Sequence, residues 1–179
     1  MKKTILLLSL VAFTGSIFAQ AKKTTSATVA FDATTALDAL PKAENKTVIA
    51  EIDTKTGQIG FEAAVKNFTF SNPTIQAHFN EERWLSSDKY PAFTFMGKIN
   101  DVTKYNFSKN GVYNVTVTGQ LTIKDKTNNV TTPATIEVKN GTLIASTNFT
   151  IVLADYGVQV GNSGKIAAEP KITVAAELK

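Results

Sequence analysis

His78 is the only imidazole in the 179 residues, and cysteine is absent. One histidine cannot build a cluster of imidazole and thiolate ligands of the kind that holds zinc. Thiol catalysis, disulfides and cysteine-ligated metals all need sulfur that this chain lacks. Glu81, Glu82 and Asp88 lie close to His78 in sequence. On a helix and its exit, however, such acids form a solvated face rather than a general acid–base pair. No G-x-S-x-G, H-E-x-x-H, phosphate loop or dinucleotide fingerprint occurs. No enzyme, cofactor or metal is therefore expected. The informative side chains are aromatic: Phe61, Phe68, Phe70, Phe79, Trp84, Phe93 and Phe95 crowd into about one fifth of the sequence. They serve either as a packing layer or as the mouth of a channel for an apolar chain, and the two uses are compatible.

The elements that would position these residues follow from alternation. Thr25, Ala27, Val29 and Phe31 share one parity, and Val48, Ala50 and Ile52 the next. Ile59 to Val65, Phe93 to Ile99, Val115 to Ile123, Val130 to Val138, Leu143 to Leu153 and Ile172 to Leu178 continue the pattern. A period of two in Thr- and Val-rich sequence means strands with one wet and one dry face. Eight strands result. Hairpin separators are expected at Asp53–Gly57, Lys124–Asn129 and Lys139–Gly141, where Asn140-Gly141 favours a type I′ turn. The apolar parity flips between Val65 and Phe68, which predicts a bulge near Lys66-Asn67. Asn72, Pro73 and the run Thr74–Leu85 predict one short helix, about 73–85, after the third strand. On it Ile75 and Phe79 share a stripe that Trp84 does not. Pro91 and Pro133 belong where a strand begins or where an N–H would face solvent.

Strands with one dry face must close on one another. The fold class is all-β, an eight-stranded antiparallel barrel, whose interior is either filled by side chains or open to one small ligand. Ala27, Ala50, Ala63, Gly97, Gly119, Ala134, Ala145 and Ala176 all fall on the inward parity, and small inward residues favour an apolar cavity.

The N-terminus reads as an export leader. Lys2 and Lys3 precede the uncharged apolar run Thr4–Phe13, and Ala19-Gln20-Ala21 is a small-residue cleavage site. Residues 1–21 are assigned to a cleaved signal peptide and 22–179 to one domain, with cleavage after Ala19 as the alternative. Without a cysteine the product is not a lipoprotein, and no second apolar run approaches the roughly 20 residues of a membrane span. Two of the 19 basic residues lie in the leader, so the remainder balances 17 against 15. Basic residues are scattered rather than striped, which argues against nucleic acid as a partner.

The stretch His78–Phe95 (HFNEERWLSSDKYPAFTF) resembles the YceI-like proteins, where a helix ends in a Ser/Asp-x-x-Pro turn before an F-x-F strand. Gly119-Gln-Leu-Thr-Ile123 is similar to that family's G-x-L-T-I strand. Phe149–Gly157 (FTIVLADYG) resembles its F-x-[VI]…[SA]-D-[FY]-G segment. The N-terminal strands match more loosely and are closer to Bacteroidetes-type variants, and Lys124 stands where the family commonly has His. The resemblance implies a periplasmic, lipocalin-like barrel that holds a polyisoprenoid or isoprenoid quinone inside, and it allows a homodimer. On this reading the ligand-lining residues are Phe61, Val65, Phe79, Phe93, Phe95, Val117, Leu121, Phe149 and Ile151. The alternative is a filled barrel that serves stress response or protein interaction without a lipid.

Overall fold

The computed structural model describes residues 21–179. The expected leader therefore lies outside the described residues, apart from Ala21. Nine strands form: β1 (Ala21–Asp32), β2 (Lys42–Asp53), β3 (Gln58–Ala64), β4 (Thr69–Phe70), β5 (Ala92–Ile99), β6 (Gly111–Ile123), β7 (Lys126–Lys139), β8 (Thr142–Thr150) and β9 (Lys171–Leu178). Eight of them close a barrel in the order β1-β2-β3-β5-β6-β7-β8-β9 and back to β1, every pairing antiparallel. The ninth, β4, extends the wall by pairing Phe70 with Ala43 of β2. The sequential strands and short turns anticipated this meander.

The loops 33–41, 65–91 and 151–170 gather at one end, the mouth. The turns 54–57 and 140–141 and the loop 100–110 gather at the far end. Asn140 and Gly141 both take positive φ (50° and 82°), as a type I′ turn requires. Among the described residues no helix is long and apolar enough to cross a membrane.

Four local expectations change. The β6–β7 connection is a two-residue turn, Lys124-Asp125, so β7 begins at Lys126 rather than Val130. The Thr122 and Thr127 hydroxyls meet across it at 2.8 Å, and Lys124 takes φ 58° at the tip. At the parity flip the chain makes a single 3₁₀ turn, Val65–Asn67, instead of a bulge. Opposite it, fully buried Asn45 donates Nδ2–H to the Ala64 carbonyl (2.9 Å) and accepts from Thr47 N–H (2.9 Å), satisfying backbone groups the ladder has abandoned. β8 stops at Thr150, and another 3₁₀ turn, Leu153–Tyr156, follows.

The helix, α1 (Pro73–Asn80), is shorter than the predicted 73–85. Asn72 caps it, accepting from the N–H groups of Thr74 (2.9 Å) and Ile75 (3.4 Å), with Pro73 at the first position. Glu81 leaves the helical region at ψ 157°, and Ser87 donates to the Asn80 carbonyl through both N–H and hydroxyl (3.2 and 3.3 Å). Ending there turns Trp84 and Leu85 inward, where a continued helix would hold Trp84 off the buried stripe. Burying two large apolar side chains outweighs one further helical turn.

Candidate functional site

Inside the mouth half lies a cavity of about 160 Å³. Its walls come from every barrel strand. Val29, Val48, Phe61, Phe95, Leu121, Ala134, Phe149 and Val174 each contribute one inward position, as the period of two demands. Thr94, Thr132, Ser146 and Thr147 are the polar residues of the lining. The Thr132 and Thr147 hydroxyls are spent on wall carbonyls and on each other, so the lumen stays apolar. Among the described residues no charged side chain reaches the lining. The site can hold an apolar body by excluding water, and it offers no acid, base or nucleophile to one.

Of the nine residues predicted to line a ligand, eight surround this cavity: Phe61, Phe79, Phe93, Phe95, Val117, Leu121, Phe149 and Ile151. Val65 does not. It opens the 3₁₀ turn, fully buried in the wall, because the turn replaces the strand continuation that would have aimed it into the lumen. Sequence reasoning missed Trp84, which it placed off the buried face, and Leu153, Val158 and Ile172, which the mouth loop and β9 bring in. The apolar spacing of Leu153, Tyr156 and Val158 was the available signal for that loop.

The glycine pair behaves differently from expectation. Gly97 and Gly119 sit opposite each other on β5 and β6. A Cβ on Gly119 would fall 2.5 Å from Phe95 Cζ and 2.6 Å from the Met96 carbonyl oxygen. One on Gly97 would fall 2.7 Å from the same ring. The glycines therefore leave no void. They let the Phe95 ring lie flat against the wall and out of the lumen.

Phe79 is the centre of the mouth. Its ring packs against Phe31 (6.1 Å between centroids), Phe68 (5.8 Å) and Phe70 (4.9 Å), and Phe68 continues to Phe93 (5.7 Å). Outside this layer a recess of about 210 Å³ shares Phe31, Phe79 and Trp84 with the inner cavity. It also carries Asp38, His78, Arg83, Ser163 and Lys165. Glu81 accepts from Arg83 Nε at 2.8 Å and lies 3.8 Å from His78 Nε2. Of the three acids expected on a solvated face, Glu82 and Asp88 are exposed and Glu81 is paired with Arg83. No group of His, Cys, Asp and Glu among the described residues could hold a metal ion.

At the far end the barrel is solid. Ile52, Ile99, Val115, Val138, Leu143 and Leu178 are buried and do not reach the cavity. Tyr105, Phe107 and Tyr113 close this end, Phe107 and Tyr113 with centroids 5.1 Å apart. A filled core therefore describes one half of the molecule only.

The fold is shared with solved structures. Burkholderia cenocepacia BcnA aligns over 86% of this chain and 96% of its own, at 20% identity and a TM-score of 0.69. A structure from Saccharophagus degradans, described as a polyisoprenoid-binding domain implicated in plant cell wall breakdown, aligns over 89% and 97%, at 10% identity and a TM-score of 0.74. The Campylobacter jejuni YceI protein aligns over 74% and 80%, at 17% identity and a TM-score of 0.59. No curated protein matches the sequence. The model of the YceI-like domain matches residues 9–178, nearly the whole chain, and on that match the protein belongs to the YceI-like family.

Proposed function

We propose that the protein is a periplasmic carrier for a long apolar ligand, a polyisoprenoid or isoprenoid quinone, with its tail in the hollow half of the barrel. The observation that carries this reading is the cavity itself, lined by side chains of every strand with no charge among them. The description of the Saccharophagus degradans neighbour as polyisoprenoid-binding supports it. Size sharpens it. An engineered cavity of about 150 Å³ holds a benzene, so about 160 Å³ accommodates roughly one isoprene unit as the side chains stand. A longer chain must move aromatic rings aside or run out through the mouth. The outer recess, with Arg83, Lys165 and Ser163, suits the polar end of such a molecule.

The leader supports the location. Export without a cysteine anchor leaves a carrier free in the aqueous compartment. Ala21 already pairs with Asp53 as the first residue of β1, so cleavage after Ala19 keeps the strand whole. N-terminal sequencing of the periplasmic fraction is expected to begin at Gln20.

Native mass spectrometry of protein purified from its own host, followed by organic extraction, tests the function. An adduct that extracts as an isoprenoid-like lipid is expected. A clean unliganded mass, together with no uptake of isoprenoid quinones, would overturn the reading.

A further inference from the structure

Around the hollow half the strand ladders run up to the mouth or resume there, with one exception. β7 pairs with β6 from Lys126 to Val138 but with β8 only from Ala134 to Lys139. β8 meanwhile stays paired with β9 as far as Thr150. Residues 131–133 of β7 therefore face Asn148–Thr150 of β8 with no ladder between them, and residues 126–130 face the loop that follows β8.

Pro133 is the cause. Its carbonyl points at β8, where it accepts from Thr147 Oγ1 at 2.7 Å. In an antiparallel ladder the N–H and C=O of one residue point the same way, so the N–H that proline lacks is the one that would have donated toward Asn148. The ladder has no donor at that step. Two hydroxyls stand in for it: Thr132 Oγ1 lies 3.0 Å from Thr147 Oγ1 and 3.4 Å from the Asn148 carbonyl oxygen. Closer to the mouth the seam is held by Asn128 Nδ2, which donates to the Asp155 carbonyl at 3.0 Å.

Both lips of this seam belong to the cavity. Val130 and Thr132 line it from β7, Thr147 and Phe149 from β8. Ser146 lines it too, although the inward positions on either side of it are Ala145 and Thr147. The lumen thus reaches between inward positions here, as it also does at Thr94 between Phe93 and Phe95 of β5. End-on entry, by contrast, meets the packed layer of Phe31, Phe79 and Trp84.

We infer that the β7–β8 seam is a lateral gate through which an apolar chain enters and leaves the cavity. Pro133 keeps it unzipped and the Thr132–Thr147 pair is its clasp. The inference rests on the reading that the cavity holds such a chain. A slot alongside the lumen admits a long molecule sideways, without threading it past the mouth aromatics.

The natural absence of cysteine makes the test direct. Stopped-flow fluorescence follows uptake of N-phenyl-1-naphthylamine and its displacement by geranylgeraniol. Thr132→Cys with Thr147→Cys, closed as a disulfide, is expected to slow both phases at least tenfold, with recovery on reduction. Pro133→Val, which restores the donor, slows them severalfold, and the new amide at position 133 is protected from exchange. Thr147→Val, which opens the clasp, speeds them severalfold. Pro133 is not among the lining residues, so Pro133→Val keeps its equilibrium affinity within about twofold. Thr132 and Thr147 do line the cavity, so the double-cysteine protein is judged by its oxidised against its reduced form, and Thr147→Val by uptake and release speeding together. A wild-type protein that takes up no probe would overturn the cavity reading and the gate together. Uptake by the wild type at rates indifferent to both the disulfide and Pro133→Val would overturn the gate alone.

Discussion

At the far end of the barrel Leu143 of β8 stands opposite Leu178 of β9, both without exposure, and Ile52, Ile99, Val115 and Val138 fill the space between the walls. A few residues along the same strands the inward positions are Ala145, Phe149, Leu121 and Phe61, and these front a cavity. The parity is the same in both halves, and so is the apolar chemistry. What differs is where the bulk points. In the solid half these branched aliphatic side chains are buried and do not reach the cavity. In the hollow half the lining mixes rings with aliphatic side chains such as Leu121, Ile136 and Ile172, and one ring, Phe95, is laid against the wall over Gly97 and Gly119. Alternation decides which face is dry, and rotamer and neighbour decide whether the dry space is full.

The largest expected difference between the halves is in stability. Leu143→Ala removes a fully buried side chain from close packing and is expected to cost about 2–5 kcal/mol, the range for Leu→Ala in cores. Leu121→Ala removes a side chain that already fronts a void. It is expected to cost less than about 2 kcal/mol, because fewer contacts are lost and little new cavity surface is created. Urea unfolding of both variants checks this. Equal costs would mean that the cavity is filled in solution, and the division into halves would fall.

The strands were legible in the sequence because a period of two survives any choice of partner. The Asn140-Gly141 turn was legible because positive φ at two successive positions selects those residue types. The hollow was legible only in outline. Eight of nine proposed lining residues surround it, since parity and aromatic content point inward. Val65 failed because a 3₁₀ turn interrupts the count, and Trp84 was missed because the helix stops at Asn80 to turn it inward. Small residues at Gly97 and Gly119 suggest empty space, whereas the Phe95 ring occupies the room they leave. Each difference comes from a break in regular geometry or from where a side chain packs, on which periodicity is silent.

Gly119→Ala turns that last point into a prediction. The new methyl cannot coexist with the Phe95 ring in its present place, and it would also fall 2.6 Å from the Met96 carbonyl oxygen and from Gly97 Cα, so the β5 backbone must shift as well. The ring has the lumen to swing into, whereas the backbone has no such room. Overpacking of this kind typically costs about 1–3 kcal/mol, and the two backbone contacts put Gly119→Ala toward the upper end. The diagnostic effect is on binding: capacity for N-phenyl-1-naphthylamine should fall sharply in Gly119→Ala, and Phe95→Ala in the same background should restore it in part, because it relieves the ring contact and not the backbone ones. Recovery of binding in the double variant separates a displaced ring from general unfolding.

The smallest effect distinguishes the two ends by acid. Asp53 closes the first far-end turn, accepting from the N–H groups of Lys55 (2.8 Å) and Thr56 (3.1 Å). Burial pushes its carboxyl upward, but these hydrogen bonds outweigh it and hold the pKa below the ordinary 3.8. Asp32 at the mouth is held low as well, chiefly by the Thr34 hydroxyl (2.7 Å) and N–H (3.0 Å). A carboxylate whose folded pKa is depressed stabilises the fold above its unfolded value, and that contribution is lost as pH falls through the folded one. Both groups therefore contribute fully above about pH 4, and the contribution declines as pH falls from there through the folded value. The halves should respond differently. Asp53→Asn abolishes its share of acid sensitivity in the global unfolding curve, because its turn joins two strands of the solid half. Asp32→Asn should leave that curve nearly unmoved and instead raise amide exchange in the 33–41 loop at neutral pH. Circular dichroism across an acid titration, paired with hydrogen exchange, reads both. A shift of the global curve by Asp32→Asn as large as that by Asp53→Asn would show the mouth loop to be as integral to the fold as the solid end.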